Sequence, residues 1–164
     1  MPELTYRDLG PADIPALTDL AKHRSVAYQT GSWPYPHDPD LIARRCAPYP
    51  GCGFVHAICE DGRLIGSVGV TEGELGYMVH PEAAGRGVAS TAARASIGRA
   101  FDRYDWPGIR ADAWSDNGAS NHILRKLGFT HWQTRYGRGR TRGVGLLYCY
   151  RLSRAEWERL RARA

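Results

Sequence analysis

The chain has 164 residues, which suits one domain, 1–164, and is short for two of ordinary size. Its composition, 43% hydrophobic and 24% charged, is globular and excludes collagenous, coiled-coil and disordered classes. A net charge of +5 with the histidines neutral is compatible with an anionic ligand but modest for a nucleic-acid binder.

Leu4 to Leu9 alternate as a first strand. Pro11 opens a helix running to about Lys22, with Ile14, Leu17 and Leu20 at helical spacing. A proline-rich connection, "SWPYPHDPD", precedes a short helix over Asp40 to Ala47. "GFVHAICE", "DGR" and "LIGSVGVTE" read as strand, tight turn and strand. "ELGYMVHP" is a further strand, ended by Pro81, and Gly76 inside it suggests a bulge that would open the sheet.

Beyond a glycine loop, Ala89, Ala93, Ile97, Ala100, Phe101 and Tyr104 fall on one face of a helix from about Val88 to Arg103. "GIRADAWS" is a strand. Asp116 or Asn117 caps the next helix, whose stripe is Ile123, Leu124 and Leu127, and Gly128 ends it. "FTHWQTRYG" and "VGLLYCYRL" make a terminal hairpin, and Ser153 with Glu156 forms a capping box for a last basic helix. Consecutive hairpins rule out a purely parallel doubly wound sheet. The expected fold is α/β (α+β): a mixed, mostly antiparallel sheet of six to seven strands with helices on both faces.

No apolar run approaches the roughly 20 residues that span a bilayer, and Met1 to Tyr6 lack the features of a secretory signal. Cys46, Cys52, Cys59 and Cys149 show no CxxC spacing, which argues against a zinc site or a redox pair. A reduced, cytoplasmic setting and no metal are the simplest expectations.

The chemistry concentrates at "HPEAAGRGVASTAARA", where a strand, two glycines and a helix start follow one another. First-turn amides have no intrahelical acceptor and the helix dipole adds positive character, so this is an anion site in outline. Gly85 and Gly87 permit positive φ and close backbone approach, and Arg86 adds a formal charge. There is no GxxxxGK(S/T), and "GRGVAS" lacks the third glycine of a dinucleotide loop. A bare GxG serves equally well as a turn with an N-cap.

"ELGYMVHPEAAGRGVAS" together with "DNGASNHILRKLGF" resembles the GNAT superfamily of acetyl-coenzyme-A-dependent N-acetyltransferases. The likeness is to the branch that acetylates protein N-termini, ribosomal ones among them, and various small amines. The family's loop signature starts with Gln or Arg, and its glycine and final small residue are matched here by Gly87 and Ala89. Ala84 stands at the leading position, and Arg86 is the candidate replacement for the charge. Asn117, Ser120, Lys126, Gly128 and Phe129 match the second, more specific block.

The resemblance implies a coenzyme lying along Tyr77, Met78 and Val79, between the fourth and fifth strands, with its pyrophosphate on the amides of Gly85, Arg86, Gly87, Val88, Ala89 and Ser90. Asn117 would bond the pantetheine, and Ser120 the coenzyme sulfur, since Leu124 occupies the position where many relatives keep an acidic tyrosine. Acetyl transfer needs a neutral amine and a stabilised carbonyl oxygen. Two carboxylates are candidate bases: Glu74, on the face of Gly76 and Met78, and Asp112, where some relatives keep a catalytic Glu. Glu74 is preferred, and a water relay remains open. Trp33, Tyr35 and His37, with Gln29, would wall the acceptor side.

Arg138, Arg140 and Arg142 in the facing hairpin point to a carboxylate-bearing acceptor, an acidic protein surface, or a solvated tip. Only Trp132 and Tyr136 accompany them, without a nucleic-acid recognition motif, so nucleic acid is not an expected partner. The expected function is acetyl transfer from acetyl-CoA to a primary amine, on a protein N-terminus or a small molecule. The alternative is a non-catalytic acyl-CoA sensor. The acceptor and the oligomeric state, a homodimer among the options, are left open.

Overall fold

The computed structural model describes residues 3–163. Strand β1 (Leu4–Asp8) leads through a single 3-10 turn into α1 (Ile14–Ala21), α2 (Arg24–Gln29) and α3 (Pro39–Arg45). Three antiparallel strands follow: β2 (Gly53–Glu60), β3 (Arg63–Thr71) and β4 (Glu74–Val79). Then come α4 (Val88–Arg103), β5 (Gly108–Trp114), α5 (Gly118–Lys126), β6 (Thr130–Gly139), β7 (Gly143–Ser153) and α6 (Arg154–Ala162). The seven strands form one sheet in the order β1-β2-β3-β4-β5-β7-β6, antiparallel except for β4 beside β5.

Alternation along the strands sends side chains to two layers. On β4, Leu75 belongs to the larger core under α4, with Tyr77 and Val79 packed against it. Met78 points the other way, into a smaller core with Leu17, Leu20, Ala27, Trp33 and Ile42 from α1, α2, α3 and the connection between them. Helix α4 buries Val88, Ala92, Ala93, Ile97, Ala100 and Phe101, so its stripe begins at Val88 and not at Ala89. The polar contact between α5 and the sheet is specific: Asn121 is 3% exposed, donates to the Trp114 and Asn117 carbonyls, and accepts from the Tyr150 hydroxyl at 2.7 Å.

Three sequence expectations need correction. Helix α2 was not foreseen, because it has six residues, no side-chain cap and one buried position, Ala27. The bulge expected at Gly76 is absent, since β3 and β4 pair without a register shift from Gly66↔Val79 to Thr71↔Glu74. The sheet opens differently: parallel β4 and β5 pair only at Glu74↔Arg110 and then part. Of the capping box at α6, Ser153 accepts from the Glu156 amide, while the Glu156 carboxylate turns to Arg159.

Candidate active site

The gap between β4 and β5 continues into a cleft of 1360 Å³, roofed by the starts of α4 and α5 and walled by α2, α3 and β6. Drug-sized ligands occupy roughly 300–1,000 Å³. The space therefore accommodates a long ligand and a second, smaller one.

The glycine loop lies at one end of the cleft. His80, 8% exposed, stands just before the loop. Its Nδ1 accepts from the Glu82 amide at 3.2 Å, which leaves the proton on Nε2 to bond Asp19 at 3.1 Å. Lys22 and then His80 hold the Asp19 carboxyl below the usual range, so this anchor for the loop keeps its charge. Gly85 and Gly87 both take positive φ, +74° and +79°. Gly87 is the N-cap of α4 and has no side chain to satisfy the helix's first amides. Among the described residues, no amide from Gly85 to Ser90 has a protein acceptor in hydrogen-bonding geometry, and the first turn of α4 carries no acidic residue. Sixteen residues of helix therefore aim an unneutralised dipole into the cleft.

Arg86 does not join them. Its guanidinium bonds Glu60 Oε1 at 2.5 Å and faces a separate surface depression with Arg63 and Glu82. Its side chain therefore does not bring a charge into the cleft in place of the one missing at Ala84, and what the loop offers the cleft is backbone amides and the helix dipole.

The exposed edge of β4 lies alongside. The His80 amide bonds the Ile65 carbonyl at 2.8 Å, which sets the alternation of the β3–β4 ladder. By that alternation the backbone groups of Tyr77 and Val79, beyond the Glu74↔Arg110 pair, turn away from β3 and into the gap. A ligand arm with amide groups can extend the sheet here, as an added strand does.

Ser120, in the first turn of α5, lines the same cleft. Its amide bonds the capping Asn117 Oδ1 at 3.1 Å, and its Oγ lies 2.7 Å from the Tyr77 hydroxyl. Asn117 therefore caps the helix through its carbonyl oxygen while also lining the cleft. Burial pushes the Tyr77 phenol up to about 12, against the pull of the Ser120 hydrogen bond. Tyr77 thus stays protonated at neutral pH, and either hydroxyl can donate in its bond with Ser120.

This has a stability consequence. An unfolded phenol ionises near 10, so between that value and about 12 the unfolded chain holds fewer protons than the native one. Stability must fall as pH rises through that interval. Urea unfolding should show wild type losing ~1–2 kcal/mol more than Tyr77→Phe between about pH 9 and pH 11. Equal losses would mean that the native phenol ionises as it does in water.

Glu74 and Asp112 both project on the cleft side of the sheet but differ in state. Glu74 is exposed and, among the described residues, has neither an ion pair nor a hydrogen bond. Asp112 is bound by Arg135 across the sheet.

Of the four residues expected to wall the acceptor side, Trp33 and Gln29 line the cleft, whereas Tyr35 and His37 do not. Arg142 is structural: its side chain is 8% exposed, pairs with Asp116 at 2.8 Å and Gln29 at 3.0 Å, and stacks on Tyr28 and Trp114. Arg138 lines the cleft. The Arg140 amide bonds the Gly31 carbonyl and Thr141 bonds that of Trp33, tying the hairpin tip to the loop after α2. Two features escaped the sequence: the Tyr77 phenol as partner of Ser120, and Arg45, which lines the cleft stacked on the Trp33 ring. Each depends on contacts between distant segments. Among the described residues, no helix is long and apolar enough to cross a membrane.

Residues 3–130 match the family model described as acetyltransferase (GNAT) domain. No curated protein sequence matches the chain. Among solved structures, the spermidine N-acetyltransferase of Vibrio cholerae, in complex with CoA and spermine, superposes with TM-score 0.80 and 18% identity over 94% of this chain and 98% of that one. An aminoglycoside acetyltransferase in complex with coenzyme A gives TM-score 0.77 and 16% identity over 97% and 99%. The ribosomal-protein-S5-alanine acetyltransferase of Vibrio fischeri gives 0.79 and 15% over 96% of each.

Proposed function

The chain belongs to the GNAT acetyltransferase family, and on that premise we propose that it transfers an acetyl group from acetyl-CoA to a primary amine by direct attack on the thioester. The observation that carries this reading is the row of uncommitted amides from Gly85 to Ser90 at the start of α4, beside the unpaired edge of β4. The amides suit a pyrophosphate and the strand edge suits the amides of a pantetheine arm. Structures of similar fold hold CoA. Tyr77, Met78 and Val79 would flank the arm, and Asn117 and Ser120 would stand at its sulfur end.

Acetyl-CoA supplies an activated carbonyl. The amine nitrogen forms the new C–N bond as the C–S bond breaks. The proton that nitrogen loses passes to Glu74, directly or through a water, because Glu74 is the cleft carboxylate with no cation attached. Backbone N–H groups of β4 that face the gap are placed to bond the carbonyl oxygen as charge builds. With the Tyr77 hydroxyl donating to its oxygen, Ser120 would have its own proton for the departing thiolate. A thiol's ordinary pKa is about 8.5, so this assistance accelerates the step without being indispensable.

Acetyl-CoA at about 1 mM should raise the melting temperature, because a ligand bound to the native state alone must stabilise it. Thiol release in the presence of a mixed panel of primary amines should then report turnover. An unchanged melting temperature would overturn coenzyme binding, and protection without turnover on any amine would leave an acyl-CoA sensor. Ser120→Ala should lower kcat by about tenfold, the value of one hydrogen bond to a charged group, with Kd for CoA within about twofold. A loss confined to Kd would assign Ser120 to binding alone.

A further inference from the structure

The cationic wall of the cleft is unevenly satisfied. Arg135, which lines the cleft, has a carboxylate partner in Asp112, and Arg142, which does not line it, is paired with Asp116. Arg44 and Arg45 at the end of α3 and Arg138 on β6 line the same cleft and, among the described residues, have none.

Arg45 is the most constrained of the three. It is half-buried, and its guanidinium lies 4.5 Å above the ring of Trp33, itself 7% exposed. The charges that bear on it are Arg140 and Arg44, both of its own sign. Burial, and then those neighbours, pull its pKa below the ordinary guanidinium range. Ordinary surface arginines escape such a position by turning into water. Stacking on Trp33 holds this one in place and leaves its N–H edges available, the arrangement that suits a planar, bidentate anion.

From this arrangement we infer that the acceptor carries a carboxylate besides its amine, and that Arg45, assisted by Arg44 and Arg138, is the site that binds it. This rests on the acetyl-transfer reading. Glu74 would meet the amine end and the arginines the carboxylate end, so one acceptor spans the two signs of charge in the cleft. The same wall disfavours a polycation, which would set like charge against three arginines. A carboxylate near an amine has two sources, a free amino acid or an acidic side chain close to a protein N-terminus. Both present the same chemistry to Arg45.

The test uses acceptors in matched pairs with the intact protein and acetyl-CoA. Glutamate is compared with glutamine amide, Ser-Asp peptides with Ser-Asn peptides, and spermidine serves as the cationic control. Turnover is followed by thiol release. Equilibrium binding of each acceptor to the CoA-loaded protein is measured in parallel, so that the subsite is read without chemistry. The carboxylate member of a pair should exceed its neutral partner by about tenfold or more in kcat/KM, as expected for a bond between two charged groups. Arg45→Gln should bring the pair to within about twofold, chiefly through KM. Arg45→Lys, which keeps the charge but not the fork, should fall between. Arg138→Gln, at an exposed position, should reduce the preference in the same direction and carries the test should Arg45→Gln fail to fold.

A preference for neutral or cationic acceptors, or one that survives both glutamine substitutions, overturns the inference and leaves acetyl transfer standing. Selective carboxylate binding with no turnover of any amine has the opposite meaning. Preference for the amino acid over the peptides assigns a small-molecule acceptor, and the reverse a protein N-terminus.

Discussion

Gly87→Glu is expected to weaken acetyl-CoA binding about a hundredfold while the protein stays folded, which corresponds to ~2.7 kcal/mol. Two effects separate at this position. Gly87 sits at φ +79°, so any side chain there costs about 1 kcal/mol of left-handed strain. That lowers the melting temperature of the free protein by roughly 2–4 °C in a chain of this length. The carboxylate adds a negative charge at the mouth of the amide row, where a pyrophosphate would lie, and like charge there costs several kcal/mol.

Gly87→Ala isolates the strain: it should show the same fall in melting temperature with less than about tenfold loss of affinity. Gly85→Ala gives an independent check, since its φ is +74° and a Cβ there meets nothing within 4 Å. It too should lose stability more than affinity. Titration calorimetry at low and high salt completes the set, because salt screens an exposed carboxylate and should narrow the gap between Gly87→Glu and Gly87→Ala. Equal affinity in wild type and Gly87→Glu would remove the pyrophosphate from this loop and, with it, the main support for coenzyme binding.

The elements that could be read from sequence were those whose determinants are local. Helix α4 runs from Val88 to Arg103 as expected, because a glycine start and an apolar stripe over four turns leave one solution. Strand β2 likewise occupies Gly53–Glu60 as read. Helix α2 carries no such marks, since "RSVAYQ" exists only because Ala27 and its neighbours pack beneath the loop that bears Trp33. Gly76 suggested a bulge, yet the opening of the sheet comes from the divergence of β4 and β5, whose sequences lie on either side of α4. A strand does not encode which neighbour abandons it.

The site divides along the same line. The backbone part, the loop and helix start from Gly85 to Ser90, is set by adjacent residues and lines the cleft. The side-chain part depends on partners far away in the chain. Arg86 is taken by Glu60, Arg142 by Asp116 and Gln29, and Ser120 by Tyr77. Cation count in the hairpin was visible, but only the fold shows which arginines are already neutralised and that Arg45 completes the wall.

Glu74→Gln carries the second large effect: kcat/KM for the amine should fall about a hundred- to a thousandfold at neutral pH, the range of a general base. The substitution keeps size and hydrogen-bonding capacity and removes only the proton acceptor. Glu74 is exposed and partnerless among the described residues, so stability should change by less than about 0.5 kcal/mol. The deficit should shrink as pH rises toward the acceptor's own pKa, about 8 for an α-amine and about 10 for an alkylamine. Above that value the amine arrives already neutral and the ammonium proton no longer has to be removed. A pH-independent deficit would instead mark Glu74 as an anchor for the bound cation, acting through KM. Asp112→Asn provides the contrast. Its carboxylate is occupied by Arg135, so the loss in kcat/KM should stay below about fivefold, with some destabilisation as Arg135 loses its counter-charge. If Asp112→Asn shows the larger loss, and that loss vanishes at high pH, the base is Asp112 working with Arg135 displaced, and Glu74 is a solvated carboxylate at the head of β4.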